Sequence, residues 1–89
     1  MDASQFEAEL KAGGYTEIET KRYPPRPANG EHGHHFSVRG LILDGEFTVT
    51  LEGKPTTYCA GDIFAVSEGL LHCEAVGPDG VTLIAGRKY

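Results

Sequence analysis

Three histidines carry the strongest chemical signal in this chain. His32 and His34 stand two residues apart at the start of the stretch HGHHFSVRGLILDGEF, and His72 lies much further on, three residues after Gly69. In an extended backbone, side chains at i and i+2 leave the same face, so His32 and His34 can offer two imidazoles to one cation. His72, arriving from a distant strand, would complete an open three-nitrogen site for a divalent ion such as Fe, Zn, Mn or Ni. His35 turns the other way and reads as a surface or interface side chain. Arg39 is the odd member of the group, because a guanidinium neither deprotonates nor coordinates. Pointing inward, it would anchor a substrate carboxylate or phosphate; turned outward, it would pair with an acid such as Glu46 or Glu74.

These residues need strands to hold them. Turn signals recur at Asp44-Gly45, Gly53-Lys54-Pro55, Gly61-Asp62, Glu68-Gly69 and Pro78-Asp79-Gly80, a rhythm of short antiparallel strands closing into a sandwich or barrel. Asp44-Gly45 is the favoured dipeptide for a two-residue hairpin. Phe47, Val49 and Leu51 alternate with Glu46, Thr48, Thr50 and Glu52, one face inward and one in water. Val81 to Gly86 is apolar nearly throughout, as expected of a strand covered on both sides. Phe36, Ile42, Phe47, Phe64 and Leu83 are the candidate barrel core.

The N-terminal part reads differently. Ser4-Gln5-Phe6-Glu7 fits a capping box, Phe6 and Leu10 stack at i and i+4, and Gly13-Gly14 supplies a left-handed stop, which predicts a helix over Ser4–Ala12. A strand-like stretch and a proline-rich connection (Pro24, Pro25, Pro27) occupy residues 15–30, and the barrel occupies 31–89, all within one domain.

Composition narrows the function classes. The chain has 89 residues and a net charge of −5 with no block of lysine or arginine, so the electrostatic basis of nucleic-acid binding is missing. No signal-like or membrane-length apolar run appears, which gives the expectation of a cytoplasmic protein without membrane partners. Cys59 and Cys73 lack C-x-x-C spacing and read as two buried thiols. So small a core would gain from pairing, and a homodimer is expected in which the barrel edge or the Tyr15–Pro27 segment crosses to the partner.

The histidines also sit in a recognisable pattern. The chain resembles a small single-domain cupin, whose motifs run G-x5-H-x-H-x3-4-E-x6-G and G-x5-P-x-G-x2-H-x3-N. His32-Gly33-His34 and Gly45 match the first; Gly61, Gly69 and His72 match the second. The resemblance implies an all-β cupin jelly-roll barrel in which His32, His34 and His72 converge on a divalent metal. Four positions depart from the pattern. Arg26 stands at the opening glycine, Ser67 at the proline, Val76 at the asparagine, and Arg39 at the glutamate ligand. With that glutamate gone, the resemblance implies at most three histidine ligands, a set found in cupin-type dioxygenases. The function expected is a metal-dependent site for a small, anionic molecule, with oxygenase or isomerase chemistry and Arg39 as substrate anchor. The alternative is a metal-free, non-catalytic ligand-binding or regulatory module, and the residues do not choose between an enzyme and such a module.

Overall fold

The computed structural model describes residues 1–89. One helix, α1 (Ala3–Ala12), precedes five strands: β1 (Thr16–Tyr23), β2 (Ser37–Leu51), β3 (Lys54–Cys59), β4 (Ile63–Val66) and β5 (Cys73–Lys88). Every pairing is antiparallel, in the spatial order β1-β5-β2-β3, and β4 pairs with the first half of β2. The architecture is the expected all-β barrel with a short N-terminal helix.

Two long strands replace the series of short ones that the turn signals predict. Asp44-Gly45 makes no hairpin; β2 runs straight through it as a bulge. Across from it, Gly45 pairs with Val81 and Phe47 with Val76, so Gly77–Gly80 is looped out within β5 instead of ending it. Gly45 has φ of +85°, and a β-carbon there would overlap the carbonyl oxygen of Gly80. The Asp-Gly pair therefore meets the conformational demand of a turn at a corner where two long strands bend together.

The bulge also resets which residues face inward. Before it, Ile42 points into the barrel and Leu41 outward; beyond it, Phe47 and Val49 point inward. Ile42, Phe47, Val49, Phe64, Val66, Val76, Val81 and Leu83 form the interior core. Leu41 and Ile84 lie on the outer face, where Phe6 and Leu10 of α1 cover them. This explains the unbroken apolar run in β5, since Leu83 faces in and Ile84 faces the helix. Phe36 is the exception among the expected core residues, being only partly buried.

The helix starts one residue earlier than expected. Asp2, not Ser4, is its N-cap; its carboxylate accepts from Gln5 N at 2.8 Å, and the Gln5 side chain accepts from Asp2 N at 3.0 Å. Gly14, at φ of +84°, supplies the left-handed residue after the helix. β1 pairs with β5 of its own chain and forms one edge of the sheet. Neither cysteine is fully buried: Cys59 is exposed, Cys73 is half-buried and both are free. No helix is long and apolar enough to cross a membrane.

Replacing Gly45 with alanine is expected to destabilise the fold by about 3 kcal/mol, combining a left-handed φ with backbone overlap. Urea unfolding followed by circular dichroism would measure it; a loss under about 1 kcal/mol would show that the corner relaxes and the overlap is not decisive.

Candidate metal centre

The site is assembled by pairing that lies outside the named strands. Residues 26–34 run antiparallel to the start of β5, with isolated bridges at Arg26–Val76 and His32–His72. His32 N donates to His72 O at 3.0 Å and His72 N to His32 O at 2.8 Å. Between the bridges, Asn29 N donates to Glu74 O at 3.1 Å, and Asn29 Oδ1 accepts from Glu74 N at 2.8 Å. The His-x-His of one segment is thereby held opposite the start of β5.

Four side chains meet there: His32, His34, His72 and Glu74, whose ligand atoms all lie within 4.8 Å of one another. The three histidines singled out by spacing are thus brought together. Glu74 is the member that motif reasoning missed. It stands two residues after His72, and alternation along β5 puts both on one face. The i, i+2 logic that paired His32 with His34 would have found it. Glu74 Oε1 is 3.3 Å from His32 Nε2 and 3.8 Å from His72 Nε2. A carboxylate therefore completes a four-donor group, although Arg39 occupies the motif's glutamate position.

The imidazoles are oriented before any ligand arrives. His32 Nδ1 is 2.9 Å from Gly30 O, and His72 Nδ1 is 3.0 Å from Leu70 O. A carbonyl oxygen only accepts, so Nδ1 carries the proton on each ring and Nε2 presents its lone pair to the cluster. The turn that places Leu70 depends on Gly69 at φ of +75°, whose N–H also donates to His34 O at 2.9 Å. Hence the glycine three residues before His72 helps fix both His34 and His72. His72 is the one fully buried polar residue, 1% exposed.

His34 is held by a different device, since no side-chain hydrogen bond orients it. Its ring stacks on Phe36 at 4.7 Å with 11° between planes. Phe36 in turn lies beneath the Arg87 guanidinium at 4.4 Å and against Tyr89 at 5.3 Å. Partial burial, then the neighbouring His72 and His32, hold the His34 imidazole below its ordinary pKa, partly offset by Glu74. The neutral, ligating form is favoured.

The donor chemistry fits a divalent ion. Ligands about 2.1 Å from one metal lie no more than about 4.2 Å apart, so side-chain torsions have little distance left to close. Three imidazoles and a carboxylate suit Fe, Mn, Ni and Zn alike.

The group borders a cavity of about 300 Å³, to which His34 and Glu74 contribute wall. Val38, Phe47, Phe64, Leu83 and Ala85 line its apolar side. Arg39 is not part of it. It shares the outer face of β2 with Leu41, lies 5.3 Å over the Phe6 ring and pairs with Glu9 at 3.7 Å. Strand alternation therefore corrects the expectation that Arg39 anchors a substrate in the barrel: Val38, Gly40 and Ile42 take the inward positions. Its acidic partner is on the helix, and is neither Glu46 nor Glu74. His35 is exposed, as alternation predicts.

Comparison with known proteins agrees with this architecture. An RmlC-like cupin from Shewanella frigidimarina matches with a TM-score of 0.65 and 27% identity over 80% of this chain and 63% of that one. The cupin domain of Cnp3 from Schizosaccharomyces pombe matches with a TM-score of 0.69 and 18% identity, covering 80% of this chain and 53% of that one. A Rhizobium leguminosarum protein of unknown function gives 0.72 and 18%, covering 80% and 67%. The chain thus spans between about half and two thirds of their lengths. No protein-family model matches, and no curated protein matches. The fold is that of small cupin domains, with the three histidines of the motif pattern brought together inside it.

Two outcomes follow from how His34 is held. In metal-free protein, the unfolded chain takes up a proton at His34 at higher pH than the folded chain does. Stability should therefore fall as pH drops from about 7.5 through the ordinary imidazole range near 6.5. Urea midpoints across that range should show a smaller fall in His34→Leu, and identical profiles would refute the assignment. Phe36→Ala should weaken zinc binding about tenfold, whereas Phe36→Tyr should preserve it, in competition with a chromophoric chelator.

Proposed function

We propose that this cupin domain binds a divalent metal through His32, His34, His72 and Glu74 and receives a small molecule in the adjoining cavity. The observation that carries the reading is the convergence of four donors within 4.8 Å, two of which, His34 and Glu74, form part of a cavity wall, with two imidazoles already turned by backbone carbonyls. Such preorientation is what ligating histidines require. When bound, the ion supplies Lewis acidity or, if redox-active, electron transfer at a position open to the cavity. Oxygenase and isomerase chemistry both fall within that description.

The chain's own residues do the rest. Gly30 O and Leu70 O keep the His32 and His72 protons on Nδ1, and Phe36 fixes the plane of His34. Phe47, Phe64 and Leu83 exclude water from the inner side of the cavity, where polar contacts therefore gain strength. Three cations and three carboxylates line the cavity, so a bound divalent ion leaves it net positive and receptive to an anion. A cytoplasmic setting and a homodimer remain part of the proposal, the second because 89 residues bury a modest core.

Elemental analysis of untagged protein purified without nickel resin tests the reading. We expect near-stoichiometric metal in the native chain, none in His72→Ala, and at least tenfold weaker retention in Glu74→Gln. A native chain that takes up no iron, manganese, nickel or zinc on dialysis would overturn the metal centre, leaving the metal-free ligand-binding module as the reading to pursue.

A further inference from the structure

The cavity contains a charge that the donor cluster does not use. Of its three cations, Lys21 is paired with Glu19 at 3.1 Å and Arg87 with Glu17 at 3.7 Å. Arg26 alone has no carboxylate within salt-bridge reach. Its backbone is fixed by hydrogen bonds to Val76 of 3.2 and 3.0 Å, and its Nη1 donates to Glu74 O at 2.8 Å. That single bond leaves the rest of a five-donor fork without a protein partner. The guanidinium is also anchored to the main chain of the residue whose side chain joins the donor cluster. Arg26 stands at the glycine position of the first motif, so an arginine here is a feature of this chain and not of the pattern it resembles.

The apolar part of the lining includes Val38, Phe47, Phe64, Leu83 and Ala85. A volume of about 300 Å³ lies at the small end for ligand pockets. We infer that the cavity binds a small organic carboxylate, its head group held by Arg26 beside Glu74 and its short apolar body laid against Phe47, Phe64 and Leu83. The inference deepens, and rests on, the reading of this cavity as a ligand site. A planar guanidinium matches a carboxylate through two parallel hydrogen bonds, which a lysine in its place would not reproduce. The apolar wall adds affinity in proportion to the carbon surface it covers, so chain length and head group contribute separately.

The test is calorimetric titration of metal-loaded protein with acetate, hexanoate, 1-hexanol and hexylamine. Hexanoate should bind more tightly than acetate, and hexanol and hexylamine at least tenfold more weakly than hexanoate. Arg26→Gln should lose at least tenfold in hexanoate affinity while its metal content and thermal midpoint stay at native values, and Arg26→Lys should fall between the two. Hexanoate binding unchanged in Arg26→Gln, or hexanol binding as tightly as hexanoate, would overturn the inference. So would a metal-loaded protein that binds no hexanoate, an outcome that leaves the metal centre standing. Should the native chain hold no metal, the same titrations on metal-free protein separate the two ideas. Arg26-dependent hexanoate binding then upholds this one while the metal reading falls, and its absence removes both.

Discussion

The site depends on one stretch of backbone pairing, the contact between residues 26–34 and the start of β5. Three N–H groups on that segment donate across the contact, those of Arg26 and Asn29 to Val76 and Glu74 of β5 and that of His32 to His72 just before it. Pro24 and Pro25 just before the segment and Pro27 within it have no N–H to give, which keeps this part of the chain from becoming a continuous strand and restricts its pairing to these few points. The restriction fixes register. Because side chains alternate, a slip of one residue would turn His32 and His34 away from His72 and Glu74 together. The reciprocal His32–His72 hydrogen bonds and the two-sided Asn29–Glu74 contact set that register on either side of the donor cluster.

The same alternation decides which groups share a compartment. β2 and β5 are each covered on both faces, by the barrel interior on one side and α1 on the other. Residues one position apart therefore have unrelated roles. Gly40 faces Phe64 inside, and a β-carbon there would meet the ring, while the neighbouring Arg39 stacks on Phe6 and pairs with Glu9 outside. An arginine over an aromatic ring at the helix edge is readily accommodated. The cation among the candidate ligands is thus a docking contact for α1.

Much of this was legible before the fold was seen, because it rests on period-two patterns. The H-x-H pair, its distant third histidine, the doubly covered last strand and the exposed His35 all follow from alternation. What escaped has identifiable causes. Asp-Gly signals a backbone conformation, and Gly45 adopts it at a bulge where long-range pairing with Val81 overrides a local hairpin. Motif position leaves Arg39 free to face either way, whereas counting from the inward-facing Ile42 turns it outward. Ser4 and Asp2 are both competent N-caps, and the helix uses the one whose N3 residue is Gln5. Glu74 falls at an unspecified position of the second motif, between His72 and Val76, so only its distance of two residues from His72 announces it.

That last case bears on what constrains such a site. A donor cluster is defined by where atoms meet in space, and the strand that supplies each atom is secondary. Losing a carboxylate from β2 is tolerated if another face of the same pocket provides one, and the pairing of Glu74 with Asn29 puts a carboxylate there. Placing an acid among three imidazoles, one of them fully buried, gives little stability by itself, since apolar side chains of similar volume would pack as well. Two ring tautomers fixed by carbonyls, a third ring clamped by stacking and a guanidinium tied to the backbone of Glu74 all hold polar groups in defined directions. Packing alone requires none of these arrangements. A site that must present lone pairs and N–H donors to something entering the cavity requires all of them.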